Sequence, residues 1–169
     1  MHTLRSEQRQ TGDVLLITLQ GAIDERSEFP PPDSKGKVRV TIESSAVTYM
    51  NSAGIRRWIR WLQDLDGNPS VVSVELAGCR PVMIEQISVV KALMPTKTRL
   101  ASVYLPFTCE ACDFESEILV DHGQMTALLD AKPGMAQELG LVCGSCGKQA
   151  EPNVIDPLYL KAVAKATRG

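Results

Sequence analysis

Apolar and polar positions along the chain fall into segments of two periods. From Asp13 to Gln20 the apolar residues Val14, Leu15, Leu16, Ile17 and Leu19 follow the turn signal Thr11-Gly12-Asp13. This predicts a strand onto which residues 2–9 can fold back as a short edge strand. Glu25 to Gly36 holds Pro30, Pro31 and Pro32 in a row and predicts a loop. Lys37 to Glu43 alternates, with Val38, Val40 and Ile42 on one side, and predicts a second strand. From Ser52 to Asp64 the period becomes helical. Ile55, Trp58, Ile59, Leu62 and Leu65 fall within one arc of about 120°, Arg56, Arg57, Arg60 and Asp64 lie opposite, and Trp61 sits at the seam. Gly67-Asn68-Pro69 ends the helix. Val71 to Ala77 predicts another strand, Pro81 opens a helix that stops before Pro95, and Arg99 to Phe107 reads as a last strand. Strand-helix-strand units in this order predict an α/β fold, a mixed β-sheet covered by helices.

Composition divides the chain. Its 169 residues are 44% hydrophobic and 22% charged, enough apolar matter for a core. Residues 1–105 carry 13 basic and 11 acidic side chains, a net of +2, whereas residues 106–169 carry 5 and 9, a net of -4. Four of the five cysteines lie in the second part, so a boundary is drawn near Pro106. The overall net charge of -2 removes the strongest sequence argument for a nucleic-acid or membrane-surface partner. No apolar run approaches the ~20 residues that cross a bilayer, and Met1-His2-Thr3-Leu4-Arg5 lacks the apolar core of a secretory signal. The expectation is a soluble, cytoplasmic protein.

Val47-Thr-Tyr-Met-Asn51-Ser52-Ala53-Gly54-Ile55 resembles the STAS domain family, which includes the anti-sigma factor antagonists, at the family's strand and Asp-Ser-Ser-Gly-Leu loop opening a helix. Gly12 to Asp24 is similar to the family's hairpin followed by Gly-x-hydrophobic-Asp, and Val74-Glu-Leu-Ala-Gly78 to its next strand-helix unit. The resemblance covers residues 1–105 and implies a mixed sheet with helices mainly on one face. It also implies a protein partner, such as a kinase-like anti-sigma factor, docking on Asn51, Ser52, Ala53 and the following helix with Arg56, Arg57, Arg60 and Trp61. The chain departs from the pattern in three places. Ala53 stands where the antagonists carry their phosphorylated serine, Asn51 replaces the leading Asp, and the proline loop occupies the place of the family's first helix. Without a hydroxyl, Ala53 cannot take up a phosphate at the helix N-terminus. Asn51 and Ser52 also suit plain N-capping.

Residues 106–169 read as a zinc-ribbon-like module with a C-terminal helix. Cys109-Glu-Ala-Cys112 and Cys143-Gly-Ser-Cys146 are two Cys-x-x-Cys knuckles separated by 30 residues. Each turn aims two thiolates at one point, and two turns complete a tetrahedron, so one structural Zn2+ is expected. Four thiolates also suit an iron–sulfur cluster, and paired cysteines suit redox chemistry. The flanking segments Ser102–Phe107 and Glu138–Val142 read as ribbon strands, with Asp121, His122 and Pro133 on an excursion between the knuckles. His122 reads as a surface residue and Cys79 as a small buried one. Basic residues in this part are few, with Lys161, Lys165 and Arg168 on the C-terminal helix, which disfavours nucleic acid. No phosphate-binding, dinucleotide-binding or serine-hydrolase motif occurs, and four cysteines close the metal site, so no catalytic residues are assigned. The expected function is a non-enzymatic regulatory adaptor. The alternatives are a zinc-stabilised accessory subunit of a larger complex and a redox-sensing cysteine protein.

Overall fold

The structure, a computed structural model, describes residues 3–89, 94–129, 142–148 and 151–152. It is mixed α/β. Five strands, β1 (Arg5–Thr11), β2 (Val14–Ile23), β3 (Val38–Met50), β4 (Val71–Ala77) and β5 (Thr98–Leu100), form one sheet in sequential order. β1 runs antiparallel to β2, and the other neighbours are parallel. The parallel pairs are connected by the proline loop, by α1 (Ser52–Gly67), and by a segment that includes α2 (Pro81–Val89). The alternation seen in the sequence sets the two faces. Leu15, Ile17, Leu19, Val40, Ile42, Val74, Leu76 and Leu100 are buried with Trp58, Leu62 and Leu65 of α1 and Met83 and Ile84 of α2. Away from this core lie two ion pairs, Arg39 of β3 with Asp13 in the β1–β2 turn and Arg99 of β5 with Glu75 of β4.

The expected last strand, Arg99 to Phe107, is two strands in two sheets. β5 pairs with β4, and after Ala101 the chain enters β6 (Ser102–Thr108) of a three-stranded antiparallel sheet ordered β7 (Glu115–Asp121), β6, β8 (Glu151–Pro152). The switch has a local cause. β4 ends at Gly78, which takes φ 62°, a left-handed conformation that favours glycine. Beyond it the chain is held by Cys79, whose N–H donates to Ser102 O at 3.1 Å and whose carbonyl accepts from Tyr104 N–H at 2.8 Å. β7 and α3 (His122–Leu129) lie in the first part of the excursion between the knuckles.

β6 crosses the division drawn at Pro106, and Val103, Leu105, Phe107, Val120 and Met125 join the same buried cluster as the five-stranded sheet. Arg80 also bridges the two sheets, donating from Nε to Ser45 O at 2.6 Å and pairing with Glu117 at 2.7 Å. The expected C-terminal helix with Lys161, Lys165 and Arg168, and the strand at Glu138–Val142 except for Val142, lie outside the described residues.

Candidate functional site: a four-cysteine cluster and the loop at Asn51

The two knuckles have the same backbone. Cys109 N–H donates to Phe114 O at 3.0 Å and Cys143 N–H to Lys148 O at 2.7 Å, in each case to the fifth residue on. Asp113 N–H returns to Cys109 O at 2.8 Å and Gly147 N–H to Cys143 O at 2.9 Å. Closing so tight a turn needs positive φ at the fourth residue after the first cysteine. Gly147 supplies it at 69° and Asp113 at 51°, aspartate being among the few other residues that tolerate the region. The sequence signal for this was visible at Gly147 and hidden at Asp113.

The turns bring Cys109, Cys112, Cys143 and Cys146 together, all four Sγ atoms lying within 4.8 Å of one another. Cys109 Sγ is 3.5 Å from Cys146 Sγ and Cys112 Sγ is 3.7 Å from Cys143 Sγ. None forms a disulfide. A tetrahedral ion with bonds of about 2.3 Å to sulfur spaces its ligands by about 3.8 Å, so the cluster has the dimensions of a four-thiolate metal site. Cys109 and Cys143 are buried, while Cys112 and Cys146 are exposed. Backbone N–H groups of Cys146 and Ser145 stabilise the Cys143 thiolate and lower its pKa to about 7. At Cys112 the N–H of Phe114 acts in the same direction, but desolvation and the three neighbouring thiols prevail and push it up to about 12. His122 is not part of this group. Cys79 is fully buried, accepts the Ser44 hydroxyl at 3.6 Å, and has its thiol pushed up to about 12 by burial.

The second set of expected residues lies where β3 hands over to α1, at the C-terminal edge of the parallel strands. Asn51 caps α1, its Oδ1 accepting the Gly54 N–H at 2.8 Å, and its Nδ2 donates to Glu25 Oε2 at 2.9 Å. Gly54 packs on the end of β2. A Cβ there would sit 2.2 Å from Ile23 O, so only glycine fits. Ser52, Arg56, Arg57 and Arg60 are exposed and Ala53 is partly so. Beside them the sequence reading missed a buried turn. Asp24 accepts the Arg26 N–H at 2.9 Å and pairs with the Arg26 guanidinium at 3.1 Å, and these bonds hold its carboxyl below the usual carboxylate range.

Trp61 is not where the helical wheel put it. It is 6% exposed, stacks on Phe29 at 4.8 Å and donates its Nε1–H to Pro30 O at 2.7 Å. The proline loop closes over that flank of α1, and the wheel had no means of seeing it. The loop is stapled to β1. Gln8 bridges Pro31 O and Asp33 N–H, and Gln10 bridges Lys35 N–H and Lys35 O. Trp61 is therefore a core residue, and the exposed face of α1 carries Arg56, Arg57 and Arg60 with Gln63 and Asp64 beyond them.

No family model matches the chain, and no curated protein matches it either. No described helix is long and apolar enough to cross a membrane.

Proposed function

We propose that the chain is a non-enzymatic, cytoplasmic adaptor of STAS-like architecture whose cysteine cluster holds one structural zinc. The four converged sulfurs carry the metal part of this reading. The four-thiolate ligand set and its tetrahedral dimensions, which leave no open position for a substrate or water, favour zinc held for structure over zinc used for catalysis. The adaptor part is supported by the path of the chain. A hairpin leads into a parallel strand, and the helix following that strand starts at Asn51–Gly54, packed on Ile23 and Asp24. With Ala53 at the acceptor position, the domain binds its partner without a phosphate switch at that residue. The partner is a signalling protein, in the family's terms a kinase-like anti-sigma factor, and it meets Asn51, Ser52, Ala53 and the arginine face of α1.

Two measurements on the native protein test the two halves separately. Elemental analysis reads one zinc per chain if the first half holds. Iron, or clearly less than one metal per chain, overturns it. Affinity capture from the source cells, comparing the intact chain with Arg57→Glu/Arg60→Glu, recovers a protein that the double variant loses. Capture unchanged by the substitutions overturns the second half. A metal that leaves on mild oxidation and returns on reduction would instead favour the redox-sensing reading, for which the exposed Cys112 and Cys146 give access.

A further inference from the structure

A shallow groove of about 550 Å³ lies on the outer face of the three-stranded sheet, lined by Arg80, Tyr104, Pro106, Glu115 and Glu117 among others. Three observations bear on what it takes. First, it already holds one cation. The Arg80 guanidinium sits 5.0 Å from the centre of the Tyr104 ring and 2.7 Å from Glu117, a sandwich of aromatic face and carboxylate. Second, its outer wall is β7, which has β6 on one side and stands at the edge of the sheet among the described residues, with seven residues of backbone along that edge. Third, β7 alternates so that Glu115, Glu117, Leu119 and Asp121 share the exposed face, and the Glu115 carboxylate has no ion pair among the described residues. Leu119 is 48% exposed and Phe114, just before the strand, 45%.

We infer that the edge of β7 beside this groove is a second docking site, for an extended basic segment of a partner protein that adds as a strand along the side of β7 that no described strand pairs. The backbone edge supplies register. Glu115 and the exposed carboxylates beside it select Arg or Lys at alternate positions, and Leu119 offers apolar contact between them. The site is independent of the Asn51 loop and of its family resemblance. It selects the opposite charge from the arginine face of α1.

The test uses the metal-loaded full chain and two acetylated heptapeptides, one alternating Arg with Thr and one alternating Glu with Thr, read by fluorescence anisotropy and amide hydrogen exchange. Expected are binding of the Arg peptide only, slowed exchange confined to β7, and a loss of about tenfold in affinity in Glu115→Lys at low salt. Raising the salt to about 0.5 M should shrink that loss. Equal binding of both peptides, protection elsewhere than β7, or unchanged affinity in Glu115→Lys overturns the inference. Sedimentation closes the remaining route: a dimer that the Arg peptide does not dissociate assigns the groove to a second copy of this chain and also overturns it.

Discussion

The two sheets reach stability by different means. The five-stranded sheet buries a row of aliphatic side chains from four strands under two helices, including the fully buried Trp58, and it closes its open flank with Phe29 and Trp61. Among the described residues, the three-stranded sheet and α3 contribute Val103, Leu105, Phe107, Val120 and Met125 to that cluster, and the far end of the sheet has the cysteine cluster. A region so poor in apolar burial needs a staple, and four thiolates on two tight turns can hold one. The contrast teaches that hydrophobic patterning and ligand spacing are separate instructions in this chain, and that the second region draws on both, joined to the first through Cys79, Arg80 and β6.

Removing the metal should break the comparison most sharply. Structural zinc contributes roughly 10–16 kcal/mol in small zinc-dependent folds. Both tryptophans lie in α1, so their emission reports the five-stranded sheet alone. Chelation, or Cys109→Ser with Cys143→Ser, is expected to abolish metal content and open the segment from Thr108 onward to protease. Tryptophan emission should keep its buried, blue-shifted maximum. A red shift in step with metal loss would mean that the two regions unfold as one.

The converse perturbation is Trp58→Ala. Trp58 is 1% exposed and packs edge-on to Phe29 and Trp61. Its truncation should lower the unfolding free energy by about 3–5 kcal/mol in a urea titration, with metal per folded chain unchanged. Metal lost along with stability would place the cysteine turns under the control of the larger core.

How much of this was legible in the sequence differs between the regions for physical reasons. Alternation in Val38–Ile42 and the helical arc around Trp58 mark their elements directly, because each element's own period decides which side is buried. Cys-x-x-Cys spacing marks the metal ligands because the turn itself aims both sulfurs. The tertiary decisions were not legible. The break at Ala101 depends on Gly78 turning the neighbouring strand away, and the burial of Trp61 depends on Gln8 and Gln10 stapling a loop from twenty or more residues on. β7 left a signal that went unread. Glu115, Glu117 and Asp121 alternate with Ser116, Ile118 and Val120, a half-buried strand pattern.

A smaller effect separates the regions by pH. The Arg26 N–H and guanidinium lower the folded pKa of Asp24 from 3.8, so the carboxylate stabilises the folded state fully above that value and loses this contribution as pH falls through the folded pKa. Asp24→Asn should flatten the acid end of a stability profile read by tryptophan emission. It should leave the pH at which metal dissociates unmoved, since that is set by proton competition for the thiolates. A shift of the metal-release pH in Asp24→Asn would count against two separately stabilised regions.

The smallest expected effect on folding is the one that bears most on function. Arg56, Arg57 and Arg60 project from the exposed face of α1, and the one hydrogen bond they make among the described residues, Arg57 Nη1 to Ser27 O at 3.4 Å, is long. Arg57→Glu/Arg60→Glu should therefore shift the unfolding free energy by less than about 0.5 kcal/mol, the usual range for surface substitutions. With Trp61 committed to the core, recognition by this face as proposed would rest on charge. The double variant should slow association with an acidic partner surface more than it speeds dissociation, and the difference from the intact chain should fade with added salt. Glu115→Lys, on the other sheet, should leave that association rate unchanged. If the arginine variant folds normally and still captures the same protein at the same rate, the arginine face is solvated surface, and binding by this molecule belongs to the acidic groove beside the cysteine module.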